Sequence, residues 1–99
     1  MTTTVVRYKI KEGRGDENQE LVEAVFAELT ATSPDSFSYG TMRLEDGLTF
    51  VHIARVDGDD NPLNDSPAFK KFVDALPDRC DEPPLPLQGT LIGNYGLYT

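Results

Sequence analysis

The 99-residue sequence contains no tryptophan, one cysteine and one histidine. The lone cysteine, Cys80, cannot form a disulfide within the chain, and an unpaired thiol is ordinary in the reducing cytosol. Transition-metal sites are usually built from clusters of histidine, cysteine or acidic ligands. A single histidine and a single cysteine do not provide such a cluster. We therefore expect a cytoplasmic protein without a metal site.

Basic residues are also scarce, since nine Lys and Arg stand against 17 Asp and Glu and leave a net charge of -8. Phosphates and anionic lipid surfaces would repel such a chain, which argues against nucleic acid and membrane partners. No apolar run approaches the roughly 20 residues of a membrane-spanning helix. The beginning, MTTTVVRYK, lacks the basic and apolar regions of a signal peptide.

The length fits a single domain over residues 1–99. Residues 4–10 alternate and are rich in β-branched side chains, which predicts a strand. Asp16 and Gln19 have the spacing of a capping box, so we predict that a helix follows over residues 17–31. Its apolar stripe comprises Leu21, Val22, Val25, Phe26 and Leu29.

Two strand-like runs, residues 36–44 and 48–56, flank the turn signal Glu45-Asp46-Gly47 and predict an antiparallel hairpin. Residues 57–65 are a polar loop. Ser66 then caps a second helix that has Pro67 in its first turn and that Pro77 ends. The buried stripe of this helix comprises Phe69, Phe72, Val73 and Leu76.

The rest of the chain predicts an extended connector over residues 81–86 and a last strand over residues 87–98, with bends at its glycines. The element order is then βαββαβ. This order favours an α+β, ferredoxin-like fold, with a four-stranded antiparallel sheet and both helices on one face.

The segment LTFVHIARV, residues 48–56, is apolar at both odd and even positions, so both faces of this strand should be covered. Two helices cover only one face of the sheet. We therefore predict a homodimer in which the sheets of two copies pack face to face. The alternative is a monomer with some exposed aliphatic side chains.

The segments TFVHIARVDG (residues 49–58) and SPAFKKFVDAL (residues 66–76), together with the element order, resemble the dimeric α+β barrel superfamily. Within it they are similar to antibiotic-biosynthesis-monooxygenase-like proteins, and the resemblance spans residues 5–91. It implies an enzyme that needs no bound cofactor and oxygenates an aromatic or polyketide-like small molecule after deprotonating it.

The resemblance has departures at the positions that carry chemistry. A glutamate and a tryptophan common on the third strand of the family fall here on Ala54 and Val56, and a histidine common before the second helix falls near Leu63. Three functions therefore stay open. They are the cofactor-free monooxygenase, isomerase or lyase chemistry on the same scaffold, and a non-catalytic dimer that binds a small ligand or supports another protein.

His52 is the candidate catalytic residue, as a general base or a hydrogen-bond donor to an aromatic ligand. Tyr8, Tyr39 and Arg43 are the candidate substrate-binding residues, through two hydroxyls and one cation. Each has a structural alternative. A histidine in an apolar run can be a buried neutral imidazole, strand tyrosines usually pack, and strand arginines usually pair with acids.

Overall fold

The computed structural model describes residues 2–33, 37–56 and 61–96, which contain four strands and three α-helices. Residues 57–60 of the predicted polar loop lie outside the described residues. In chain order the elements are β1 (Thr2–Ile10), α1 (Gly15–Thr32), β2 (Phe37–Arg43), β3 (Thr49–Val56), a 3-10 turn (Pro62–Asp65), α2 (Pro67–Asp74), α3 (Leu76–Arg79) and β4 (Cys80–Gly89).

The four strands form one sheet in the order β2-β3-β1-β4, and every neighbouring pair is antiparallel. The predicted ferredoxin-like fold class is thereby confirmed. Within the described ranges, no helix is both long and apolar enough to cross a membrane.

The core lies between one face of the sheet and the helices, because side chains of alternate strand residues point to that face. The two central strands contribute Tyr8, Ile10 and Phe50, and the helical side contributes Val22, Val25, Leu63, Phe72 and Leu76. Partly buried rings of Phe26 and Phe69 pack against this cluster. The same face carries the residues described below as the candidate site.

The start of α1 differs from the prediction. The helix begins at Gly15 after Arg14, no side chain caps it, and Asp16 lies inside its first turn. The Asp16 carboxylate instead accepts a hydrogen bond from Nη1 of Arg43 at 2.9 Å. The predicted capping box at Asp16 and Gln19 is therefore wrong, because the hairpin arginine competes for these side chains.

The predicted β2–β3 hairpin is confirmed, and Asp46 organises its turn. The Asp46 carboxylate accepts hydrogen bonds from the amide of Leu48 at 2.9 Å and from the amide and hydroxyl of Thr49 at 2.8 and 2.6 Å. These bonds favour the ionised form and lower the pKa of Asp46 to about 2. Gly47 has a φ of 74°, a left-handed conformation that glycine adopts readily.

The predicted start of α2 is also confirmed, since the Ser66 hydroxyl accepts a hydrogen bond from the Phe69 amide at 3.0 Å. The same hydroxyl is hydrogen-bonded to the Glu28 carboxylate, which ties the start of α2 to α1. Pro77 does not end α2 directly. The helix ends at Asp74, and Pro77 lies in the first turn of α3, where proline is tolerated.

The last strand differs most from its prediction. β4 covers Cys80–Gly89, so the segment predicted as a connector is a strand, and within the described residues the segment beyond Gly89 is not in the sheet. The prolines of this strand are tolerated because β4 is an edge strand that pairs only with β1. Pro83 and Pro84 fall at a register shift between Arg7 and Lys9, and Pro86 pairs in register with Val6.

Candidate functional site

His52 lies near the middle of β3, and its side chain is buried, with 6% of the residue exposed. Both nitrogens of its ring have hydrogen-bond partners. The hydroxyl of Tyr8, on β1, lies 2.7 Å from Nε2. The hydroxyls of Tyr39 and Thr41, on β2, lie 2.5 Å and 3.0 Å from Nδ1. The imidazole is thus held between hydroxyl groups from both neighbouring strands.

These groups are neutral near pH 7. Burial lowers the pKa of His52 to about 4, because a charged imidazolium loses hydration in this environment. Burial likewise raises the pKa of Tyr39 to about 12, although a hydrogen bond from Thr41 partly offsets the effect. Burial raises the pKa of Tyr8 as well, against a smaller opposing effect of the hydrogen bond from Asn18. The cluster is therefore a polar but uncharged group inside an apolar core.

A cavity of about 340 Å³ reaches His52, Tyr8 and Tyr39 from the side of α2. None of the described residues that line it is charged. This volume lies within the range of pockets that hold small molecules. The other walls are largely apolar and include Val6, Ala54, Leu63, Phe69, Phe72 and Pro86. The cavity therefore suits an uncharged, flat or aliphatic ligand that carries one or two polar atoms toward the cluster.

A second part of the site extends from Tyr8 away from the cavity. Asn18, fully buried on α1, donates from Nδ2 to the Tyr8 hydroxyl at 3.0 Å. Nε of Arg79 donates to Oδ1 of Asn18 at 3.2 Å, and Nη2 of Arg79 donates to the Phe72 carbonyl at 3.0 Å. Neither Asn18 nor Arg79 lines the cavity. An unbroken hydrogen-bond chain therefore runs from a buried arginine to the cavity wall.

Arg79 is fully buried, and burial lowers the pKa of its guanidinium. Its carbon Cζ lies 5.4 Å from the centre of the Phe72 ring, in a cation-π arrangement. Its Nη1 is buried and has no hydrogen-bond partner among the described residues. A positive charge is thus enclosed behind Tyr8.

Neither Asn18 nor Arg79 was predicted from the sequence as a site residue. A signal for Asn18 was present, because it precedes Val22 by four positions and Val25 by seven and so lies on the buried stripe of α1. No comparable signal marked Arg79, which lies two residues after Pro77, where the second helix was predicted to end.

The structure brings together three of the four predicted site residues, namely His52, Tyr8 and Tyr39. Arg43 does not line the cavity. Its guanidinium binds Oδ1 of Asp16 at 2.9 Å, Oε1 of Gln19 at 2.7 Å and the Gly47 carbonyl at 2.8 Å. Arg43 thus joins the hairpin to the start of α1, and its contact with a substrate stays a prediction.

In the described part of the chain, no group of three or more His, Cys, Asp or Glu side chains is arranged to hold a metal ion. The polar groups at the cavity are two phenols, an imidazole and neutral hydrogen-bonding side chains. Such groups can orient an organic ligand and move a proton at neutral pH.

No protein-family model matches the sequence, and no curated protein sequence matches it. Solved structures do match its fold. A provisional antibiotic biosynthesis monooxygenase from Nitrosomonas europaea has a TM-score of 0.75 and 14% identity over 94% of this chain and 100% of that one. Rv0793 from Mycobacterium tuberculosis has a TM-score of 0.73 and 15% identity, covering 94% of this chain and 96% of its own.

A third structure of this kind is SnoaB from Streptomyces nogalater, a cofactor-independent oxygenase solved as a mutant. It has a TM-score of 0.69 and 19% identity over 96% of each chain. At these identities the similarity concerns the fold. The chain accordingly has the ferredoxin-like fold of antibiotic-biosynthesis-monooxygenase-like proteins, in agreement with the resemblance of its sequence.

Proposed function

We propose that this protein is a cofactor-independent, monooxygenase-like enzyme that acts on a neutral aromatic or polyketide-like small molecule. The observation that carries the proposal is the neutral, buried His52, which contacts two tyrosine hydroxyls at the wall of an apolar cavity. The description of SnoaB, a structural neighbour, as a cofactor-independent oxygenase supports the same reaction class.

The hydrogen bonds at His52 define how a proton would leave the substrate. Because Tyr8 and the β2 hydroxyls occupy both ring nitrogens, the substrate meets a tyrosine hydroxyl rather than the imidazole. The substrate proton passes to that oxygen, and the tyrosine proton passes to His52. The electron pair stays on the substrate, which then reacts with molecular oxygen. For a methylene group the balance is CH2 plus O2 giving C=O plus H2O.

The low pKa of His52 restricts the substrate. An imidazole whose conjugate acid has a pKa of about 4 is a weak base. It can remove a proton at a useful rate only from a substrate whose anion is well stabilised, since proton transfer slows as the difference in pKa grows. Hydroquinones and anthrones meet this condition, because an extended ring system delocalises the charge. Their size and low polarity also suit the apolar walls of the cavity.

We further propose that the functional unit is a homodimer. Residues opposite each other in the ladders share a face of the sheet, so the face away from the helices carries two rows that are mostly apolar. One row consists of Met42, Val51, Arg7 and Leu85, and the other of Gly40, Ile53, Val5 and Leu87. Met42, Leu85 and Leu87 are exposed to 54%, 59% and 58% in the single chain. A second copy packed sheet to sheet would cover this surface.

A non-catalytic dimer that binds a small ligand is the second candidate. It is favoured by the cavity wall at Ala54 and Val56, where the family resemblance implies a glutamate and a tryptophan. A cytoplasmic location belongs to either proposal and is supported by the free thiol of Cys80.

The test is an oxygen-consumption assay with a panel of hydroquinones and anthrones. We expect turnover by the parent protein and a loss of roughly a hundredfold or more in His52→Ala, the usual effect of removing a general base. Tyr95→Phe is the matched control for Tyr39→Phe, because Tyr95 is fully exposed and lies outside the cavity lining. It should keep full activity, while Tyr39→Phe should lose most of it.

The other outcomes also discriminate. Binding without turnover would favour the non-catalytic dimer, and turnover without oxygen uptake would indicate an isomerase. Equal turnover by the parent and His52→Ala would remove His52 as the proton acceptor.

A further inference from the structure

We infer that Arg79, acting through Asn18, fixes the direction of the hydrogen-bond chain and thereby sets the tautomer of His52. Arg79 and Asn18 do not line the cavity, so both are positioning residues rather than catalytic ones. The tautomer follows from the contacts of the neutral imidazole ring. Its consequence for catalysis, given below, rests on the proposed function.

The first step is the orientation of the Asn18 amide. A guanidinium has only donor groups, so the Asn18 atom that faces Arg79 must be the amide oxygen. Nε of Arg79 lies 3.2 Å from this oxygen, and the amide nitrogen of Asn18 then points to the Tyr8 hydroxyl at 3.0 Å. A flipped amide would set two donors against each other inside the core.

The second step is the proton of Tyr8. The Tyr8 oxygen already accepts a hydrogen bond from Asn18, and Nε2 of His52 lies 2.7 Å away. If Nε2 carried a proton, two donors would converge on the Tyr8 oxygen, and the Tyr8 proton would face apolar walls. The Tyr8 hydroxyl therefore donates to Nε2. Since the low pKa of His52 keeps the ring neutral at pH 7, its single proton is on Nδ1.

The third step concerns Tyr39. The proton on Nδ1 of His52 points to the Tyr39 oxygen at 2.5 Å, with the Thr41 hydroxyl at 3.0 Å beside it. Both hydroxyl oxygens can accept this proton. Tyr39 then keeps its own proton for an acceptor in the cavity. In the proposed reaction, Tyr8 and His52 take up the substrate proton, and Tyr39 donates to the oxygen on which negative charge develops.

The burial of Arg79 fits this role. In the described residues no acidic side chain is hydrogen-bonded to its guanidinium, and Nη1 lacks a partner. Enclosing an arginine in this way costs free energy, whereas an apolar side chain of similar length would fill the space without that cost. The geometry thus points to a directional role for the guanidinium beyond filling the core.

The test is the ¹⁵N spectrum of the imidazole ring, measured without ligand at pH 7. Because His52 is the only histidine, the spectrum contains one set of ring signals. We expect a protonated Nδ1 and an unprotonated Nε2 in the parent protein. Asn18→Asp reverses the chain, since its carboxylate still pairs with Arg79 but can only accept from Tyr8. The proton of His52 should then move to Nε2.

Two further variants complete the test. Arg79→Met removes the donor that orients Asn18 and should give a mixture of tautomers. Asn64→Asp, at an exposed asparagine of the 3-10 turn, should leave the parent spectrum unchanged. A parent protein protonated on Nε2 would overturn the inference, and so would an unchanged tautomer in Asn18→Asp. If Asn18→Asp does not fold, an unchanged tautomer in Arg79→Met has the same meaning.

This readout does not depend on turnover. A protein that shows the expected tautomers but no oxygenation would retain the inference and lose the proposed function.

Discussion

The hydroxyl of Tyr39 lies 2.5 Å from Nδ1 of His52, so a phenol at the cavity wall contacts a buried imidazole directly. The contact crosses from β2 to the central strand β3, and Tyr8 makes the corresponding contact from β1. A ligand polar group that reaches Tyr39 is therefore coupled to His52 without touching it. This coupling makes the protonation state of His52 measurable in stability, in spectra and in activity.

The free energy of unfolding should decrease as the pH is lowered, in a range that the titration of His52 sets. The pKa of His52 is about 4 in the folded protein, against an unperturbed value of 6.5. Below pH 6.5 the unfolded chain therefore binds a proton that the folded protein does not bind until the pH approaches 4. The free energy of unfolding should therefore decrease by about 3 kcal/mol between pH 6.5 and pH 4. Urea unfolding at several pH values in this range measures the decrease.

The control for this prediction is His52→Phe, which removes the titrating group while keeping an aromatic ring. The variant should be less stable at pH 7, because Tyr8 and Tyr39 lose a partner. Its stability should also vary less between pH 6.5 and pH 4. Parallel pH profiles for the two proteins would show that His52 is not the group responsible.

Gly15 should not tolerate a side chain. A Cβ atom built there would lie 2.5 Å from Nη2 of Arg43 and 2.5 Å from the Gly47 carbonyl oxygen, which is backbone and cannot move aside easily. We expect Gly15→Ala to cost about 1–3 kcal/mol in thermal or urea unfolding, as overpacking usually does. Gly40→Ala is the control, because nothing lies within 4 Å of the position that its Cβ would take. Equal stability of both variants would contradict the tight contact between hairpin and helix.

The proposed dimer predicts that a charge on the outer sheet face will separate the subunits. Leu87→Asp places a carboxylate beside Val5 and Ile53 and should weaken association at least tenfold, because burying a charge is costly. Val73→Asp serves as the control, since Val73 is an apolar residue of α2 exposed to 41% on the opposite side of the sheet. Sedimentation equilibrium should show two chains for the parent and the control. A single-chain parent at micromolar concentration would refute the dimer.

Local patterns in the sequence were enough to predict most of the fold. Alternation identified β1, and two strand-like runs on either side of the turn signal Glu45-Asp46-Gly47 identified the hairpin. The turn signal is reliable here because Asp46 binds the amides that follow it. β4 was misplaced because its three prolines resemble a loop. Prolines suit a strand only at the edge of a sheet, and strand order depends on the whole fold.

The candidate site was predicted less completely. His52, Tyr8 and Tyr39 could be identified because they carry an imidazole and two hydroxyls within predicted strands. Arg43 also lies on a predicted strand, but its guanidinium binds the carboxylate of Asp16. These two residues are 27 positions apart in the sequence. The contact between Arg79 and Asn18 spans 61 positions, which no local pattern encodes.

The proposed function requires that a neutral aromatic ligand binds in the cavity at His52. Its most direct test is an anaerobic titration with a hydroxyanthrone while the ring signals of His52 are followed by NMR. We expect saturable shifts of these signals in the parent protein and none in Ala54→Phe, whose larger side chain fills the cavity. Ligand binding that leaves the His52 signals unmoved, or no binding at millimolar ligand, would contradict it.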